Sequence, residues 1–249
     1  MTLPNIISVA TGRNYSLVLD KQGVVYLSGS SRQWNMNVDE TKTKQFTLSF
    51  IPILKHEKAI KVIARGGYAL LMQADGQVIY CCDGTVKEFP KNVVDVALTL
   101  GETYFLLSNG QVLAEFQDNG EYLKEGDIKT ADSNTKTVKA KNIGRVKAIT
   151  TNFASAFALD EKGRVWEWNY YQRRYDKSNI EPLPRLINKF SNAVSLTAGI
   201  ANAVLLDNGE VYFWGFDTGR VRGTGEAITH PKVTLKNVYV PEKSLWTWK

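Results

Sequence analysis

Short apolar runs recur along this chain, each followed by a polar turn with a glycine and then by a second apolar stretch. The runs are Leu17-Val18-Leu19, Ala69-Leu70-Leu71-Met72, Phe105-Leu106-Leu107, Ala156-Phe157-Ala158-Leu159 and Ala203-Val204-Leu205-Leu206, and the glycines after them are Gly23, Gly76, Gly110, Gly163 and Gly209. Runs this short, bounded by turn residues, predict strands buried on both faces rather than helices. The dipeptides Asp75-Gly76, Asn109-Gly110 and Asn208-Gly209 predict type I′ hairpins, in which both central residues take positive φ. The longer Asp20-Lys21-Gln22-Gly23 and Asp160-Glu161-Lys162-Gly163 predict a type I turn closed by a left-handed glycine and a bulge. Asp20, Asp75, Asp160 and Asp207 read as equivalent turn positions whose carboxylates cap backbone and take no part in catalysis.

The turn glycines stand 53, 34, 53 and 46 residues apart, a spacing that suits a four-stranded propeller blade. A unit of this kind cannot bury its own apolar face and must stack on its neighbours. The uneven intervals assign length variation to loops between blades. Repeat units fall near 6–29, 60–82, 93–116, 146–169 and 194–223, and Leu245-Trp246-Thr247-Trp248 echoes Val165-Trp166-Glu167-Trp168. An abbreviated unit at 236–249, completed by the N-terminal segment, would then close the ring and remove its open edges. The expectation is one all-β domain over 1–249, a closed propeller of five or six blades.

In the fifth copy the pattern extends through Gly209-Glu210-Val211-Tyr212-Phe213-Trp214-Gly215-Phe216-Asp217-Thr218-Gly219. Here it resembles the repeat of the regulator of chromosome condensation family, V-x-x-G-x-x-H-S-L-A-L-x-x-D-G-x-V-Y-x-W-G-x-N-x-x-G-Q-L-G. Residues 6–29 and 194–223 match best and 93–116 least, and the Gly-His and Trp-Asp marks of WD repeats are absent. The resemblance implies a protein-binding propeller. In founding members of that family it implies a guanine nucleotide exchange factor for the Ran small GTPase that also docks on chromatin. The family's common ring has seven blades, and its Gln-Leu-Gly ending is replaced here by Arg220-Val221-Arg222.

Charge and candidate chemistry narrow this only a little. Thirty-one basic residues against 25 acidic ones give a net charge of +6, a mild excess that admits an acidic protein, nucleic acid or an anionic surface as partner. Cys81 and Cys82 are adjacent and cannot staple distant segments; a vicinal disulfide is the alternative to a pair of reduced thiols in a strand. His56 and His230 sit in no metal-ligand spacing, and neither a Gly-Lys-Ser/Thr phosphate loop nor a Gly-x-Ser-x-Gly elbow occurs. We therefore expect no enzyme activity, no cofactor and no metal. With neither a signal peptide nor a long apolar run, the expectation is a monomer in the cytoplasm or nucleus, or a secreted effector acting in a host cytosol, without membrane insertion.

The partner-binding candidates are the aromatic and arginine clusters, since Tyr, Trp and Arg are what interfaces concentrate. They are Arg32 and Trp34 after the first copy, and Tyr170, Tyr171, Arg173, Arg174 and Tyr175 after the fourth, in an inter-blade position. Arg220 and Arg222 complete the set. The same residues fit a second arrangement, in which Trp168 and one tyrosine belong to the core. Lys136, Lys139, Lys141, Arg145 and Lys147 form a basic run that suits phosphate, an acidic protein face or simply the solvent side of a strand. The functions in competition are an exchange factor for a small GTPase, a scaffold, effector or inhibitor that binds another protein, and a chromatin or nucleic-acid binder.

Overall fold

The structure, a computed structural model, describes residues 5–30, 32–33, 36–37, 46–81, 90–99, 102–117, 135–139, 143–152, 155–169, 184–187, 190–199, 201–215 and 233–234. Blade 1 is β1 (Ile6–Thr11), β2 (Tyr15–Asp20), β3 (Val24–Ser30) and β6 (Phe46–Lys55), with a ribbon of β4 (Arg32–Gln33) and β5 (Met36–Asn37) between its last two strands. Blade 2 is β7 (Ala59–Arg65), β8 (Tyr68–Gln73) and β9 (Val78–Tyr80). Blade 3 is β10 (Val93–Leu98), β11 (Glu102–Leu107), β12 (Val112–Gln117) and β13 (Thr135–Lys139). Blade 4 is β14 (Val146–Thr151), β15 (Ser155–Asp160), β16 (Val165–Asn169) and β17 (Arg185–Ile187). Blade 5 is β18 (Ala193–Thr197), β19 (Ala201–Leu206), β20 (Val211–Gly215) and β21 (Val233–Thr234). All pairings are antiparallel, and the order within each blade is sequential.

Each repeat unit read from the sequence supplies three strands, and in blades 1, 3, 4 and 5 a fourth follows as the outer strand, whereas blade 2 has three among the described residues. In blades 1, 3, 4 and 5 length therefore varies inside the blade, between third and fourth strands. The segments 31–45 of blade 1, 118–134 of blade 3, 170–184 of blade 4 and 216–232 of blade 5 all occupy that place. The unit at 236–249 lies outside the described residues.

All five hairpins share one turn, which corrects the reading of two types. Gly23, Gly76, Gly110, Gly163 and Gly209 have φ between 73° and 84°, whereas Asp75, Asn109 and Asn208 are not at positive φ. Each glycine N–H donates to the carbonyl three residues back, as from Gly76 to Gln73 at 3.0 Å and from Gly163 to Asp160 at 3.1 Å. This is a type I turn with a left-handed glycine bulge throughout. Two side-chain solutions cap the same backbone, and they mislead a reading of dipeptides. Asp20 and Asp160 open their turns and accept from the second and fourth N–H groups after them: Gln22 and Val24, and Lys162 and Arg164. Asp75, Asn109 and Asn208 stand just before the glycine and accept from Gln77, Gln111 and Glu210. The four aspartates are thus not equivalent, and Asp207 accepts from the Asn192 side chain instead.

Blades are joined through their first strands. The carbonyl of the turn glycine accepts from the entry of the next blade: His56 on Gly23, Val93 on Gly76, Val146 on Gly110 and Ala193 on Gly163, at 2.7–3.1 Å. Every first strand also slips register against its own second strand just after its first residue. The result is a β-bulge at the same place in all five blades, with Ile7, Ile60, Val94, Lys147 and Val194 unpaired.

The cores lie between blades. Leu17, Leu19, Val25 and Leu27 of blade 1 pack on Ala59 and Val62 of blade 2. Blade 2 meets blade 3 through Leu70, Met72, Val93 and Val96, and blade 3 meets blade 4 through Tyr104, Leu106, Val146 and Ile149. Leu159, Val165 and Phe190 pack on Ala193 and Val204 at the fourth junction. The outward faces of blade 1 and blade 5 differ. Val9 is 63% exposed where its counterparts Val62, Val96 and Ile149 are buried, and Leu205 is 37% exposed where Leu19, Met72, Leu106 and Leu159 are buried.

Candidate protein-binding site

The strand directions give the array two ends. First strands start, and second strands finish, at the turn end; the loops from first to second and from third to fourth strands leave from the opposite, loop end. At the loop end, bonds stitch blades together. Tyr15 Oη donates to the Tyr68 carbonyl at 2.6 Å, Arg13 N–H to the Gly66 carbonyl at 2.8 Å, and Thr151 Oγ1 to the Leu98 carbonyl at 2.5 Å. Asn152 Nδ2 reaches Asn202 Oδ1 at 3.1 Å. Arg65 Nη1 donates to the Thr151 carbonyl at 3.0 Å and so links blades 2 and 4, which are not neighbours. Burial pulls this guanidinium below its ordinary value and pushes the Tyr68 phenol up to about 12.

Nothing in the pattern of apolar positions signals the buried polar groups inside blade 3. Glu102 and Glu115 are both buried, and Tyr104 Oη donates to Glu102 at 2.5 Å. Burial drives the Tyr104 phenol far above its usual range. Trp168 is fully buried against Tyr104, with ring centroids 5.6 Å apart, so it belongs to the core and not to a contact loop.

Of the candidate contact residues, Arg32 lies on β4, with its backbone opposite Asn37. Trp34, Tyr170, Tyr171, Arg173, Arg174, Tyr175, Arg220 and Arg222 lie outside the described residues. Their segments nonetheless leave from known strand ends, after β3, β16 and β20, and those three strands all finish at the loop end. In chain order the stretch bearing Tyr170 to Tyr175 falls between β16 and β17 of blade 4, and not between two blades as the inter-blade assignment had it.

The basic run is divided by the fold. Lys136 and Lys139 stand on β13, the outer strand of blade 3, while Arg145 and Lys147 sit at the entry to β14, the first strand of blade 4. Lys141 lies outside the described residues. Arg145 pairs with Glu161 at 3.4 Å.

Among the described residues, no group of three or more His, Cys, Asp or Glu side chains is arranged to hold a metal ion, and no helix is long and apolar enough to cross a membrane. Cys81 is buried in the core between blades 1 and 2, while Cys82 lies outside the described residues.

No protein-family sequence model matches the chain. No curated protein matches it in sequence. Solved structures do match it in shape. Human WBSCR16 superposes with a TM-score of 0.63 at 16% identity, 87% of this chain covering 63% of that one. Prp20p of Saccharomyces cerevisiae gives 0.62 at 19% identity, with 94% and 66% covered. The same yeast RCC1 bound to Kap60 gives 0.61 at 17% identity, with 94% and 64% covered. The chain spans just under two-thirds of the length of these structures. Successive antiparallel units of three or four strands, one shared turn and this superposition together show a divergent β-propeller fold of the RCC1 type.

Proposed function

We propose that this chain is a non-catalytic protein-binding propeller whose loop end engages a small GTPase of the Ran type and accelerates its nucleotide exchange. One observation carries the reading: the segments bearing Arg32 and Trp34, Tyr170 to Tyr175, and Arg220 and Arg222 all leave from the loop end of their blades. The propellers it resembles add support, since Prp20p is described by its binding to Gsp1p and histones and has been seen bound to Kap60. Exchange by such a surface needs no cofactor of the propeller's own. It requires tighter binding to the nucleotide-free GTPase than to the loaded form.

The test is release of a fluorescent guanine nucleotide from a panel of small GTPases. We expect one member to be accelerated, and Tyr171→Ala with Arg173→Ala to weaken its binding by about 2 kcal/mol or more with little change in thermal stability. Binding without acceleration would make the protein a scaffold or inhibitor. No binding to any member would remove the GTPase reading.

A further inference from the structure

The five bulges place one residue per blade around the mouth of the array at the turn end. Four are aliphatic, Ile7, Ile60, Val94 and Val194, each 42–48% exposed, and the fifth is Lys147. A single exposed aliphatic side chain needs no explanation, but the same position in blades 1, 2, 3 and 5, with Lys147 in blade 4, makes a collar. Neighbouring first strands are in contact just below it: Val62 N–H donates to Ser8 Oγ at 3.1 Å, and Lys61 pairs with Asp95 at 2.5 Å.

The charges around the collar are unbalanced in a particular way. Glu57, Asp95 and Glu161 are paired with Lys55, Lys61 and Arg145, whereas Asp75, Asp207 and Glu210 accept only from neutral donors, so exposed lysines outside ion pairs outnumber such carboxylates by five to three among the described residues. Lys21, Lys58, Lys91, Lys147 and Lys162 are exposed, and none is in an ion pair among the described residues. All five stand on the turns, on the entries to first strands, or on the collar itself. Aliphatic anchors ringed by unneutralised ammonium groups complement a segment that carries both carboxylates and aliphatic side chains.

We propose that the turn end is a second docking surface, specific for an acidic peptide segment with aliphatic side chains between its carboxylates. It is separate from the GTPase reading, which concerns the opposite end, so either can fail alone.

The experiment uses the full chain and three short fluorescein-labelled peptides at physiological salt, alternating glutamate with leucine, glutamate with serine, and lysine with leucine. The glutamate–leucine peptide should bind at least tenfold more tightly than either control and weaken, without being lost, as salt rises. Lys58→Glu with Lys91→Glu should reduce its affinity at least tenfold, and Ile60→Ser with Val94→Ser should do the same while circular dichroism and melting stay close to wild type. Equal binding of the glutamate–serine peptide would overturn the proposal, because attraction would then be electrostatic alone. Indifference to both double substitutions, or stronger binding of a labelled oligonucleotide at the same salt, would also overturn it. Retained GTPase binding by the two double variants would confirm that the ends act separately.

Discussion

At the scale of single residues, Asp160 shows how one buried carboxylate organises a turn. Its Oδ1 accepts from two backbone N–H groups of the turn, while Oδ2 accepts from Trp166 Nε1 at 3.0 Å and Arg164 Nε at 2.7 Å. Burial opposes its charge, but these bonds and the guanidinium outweigh burial and hold the carboxyl below its ordinary value. A depressed folded pKa contributes stability that is present above the unfolded value, near pH 4, and is lost as pH falls through the folded one. Asp160→Asn should therefore cost about 1 to 2 kcal/mol at pH 7, and the difference from wild type should shrink toward pH 2 in denaturant titrations. An equal loss at both pH values would show that shape rather than charge matters there. Asp20, with Tyr26 Oη at 3.1 Å in place of the indole, is built the same way. That these aspartates cap turns was legible in the sequence, because a carboxylate before a turn glycine has few other uses. Which backbone groups each one caps was not, because position within the turn depends on a register that strand residues alone leave open.

At the scale of elements, the hairpin turn is also the joint between blades, so its glycine is constrained twice. Positive φ is one constraint. The other is space: a Cβ on Gly163 would come within 2.9 Å of Asn192 Cα, and one on Gly110 within 2.9 Å of Arg145 Cβ, each at the entry of the next blade. Gly209 carries the first constraint alone, since a Cβ there meets nothing within 4 Å. Gly209→Ala should thus cost about 1 kcal/mol, and Gly163→Ala or Gly110→Ala at least about 1 kcal/mol more, read from denaturant midpoints. Comparable losses at all three would mean that the joint contributes little. The glycines stand out in the sequence because φ selects their residue type. The bulges do not, because an unpaired position accepts Ile, Val or Lys alike. Their only mark is a fixed distance before the turn glycine in the first four copies, which composition never reveals.

At the scale of the whole molecule, repetition made the fold legible, and irregularity kept the candidate site from being so. Five turns and five apolar runs require stacked antiparallel units, yet apart from β6 the outer strands are too short or too polar to register: β13 reads Thr135-Lys136-Thr137-Val138-Lys139, β17 has three residues and β21 two. The outward faces of blade 1 and blade 5, bearing Val9 and Leu205, are where the array departs from its own rule. Val62→Glu, which drives a carboxylate into the first interface, should cost about 3 kcal/mol or more, whereas Val9→Glu and Leu205→Glu should stay within about 0.5 kcal/mol of wild type. Heavy losses at Val9 and Leu205 would show that another segment, such as the expected closing unit at 236–249, covers those faces in solution. Arg65 has a different consequence. A side chain tied from blade 2 to blade 4 works like a crossbar, so a partner that settles there on the loop end meets two blades already braced against each other.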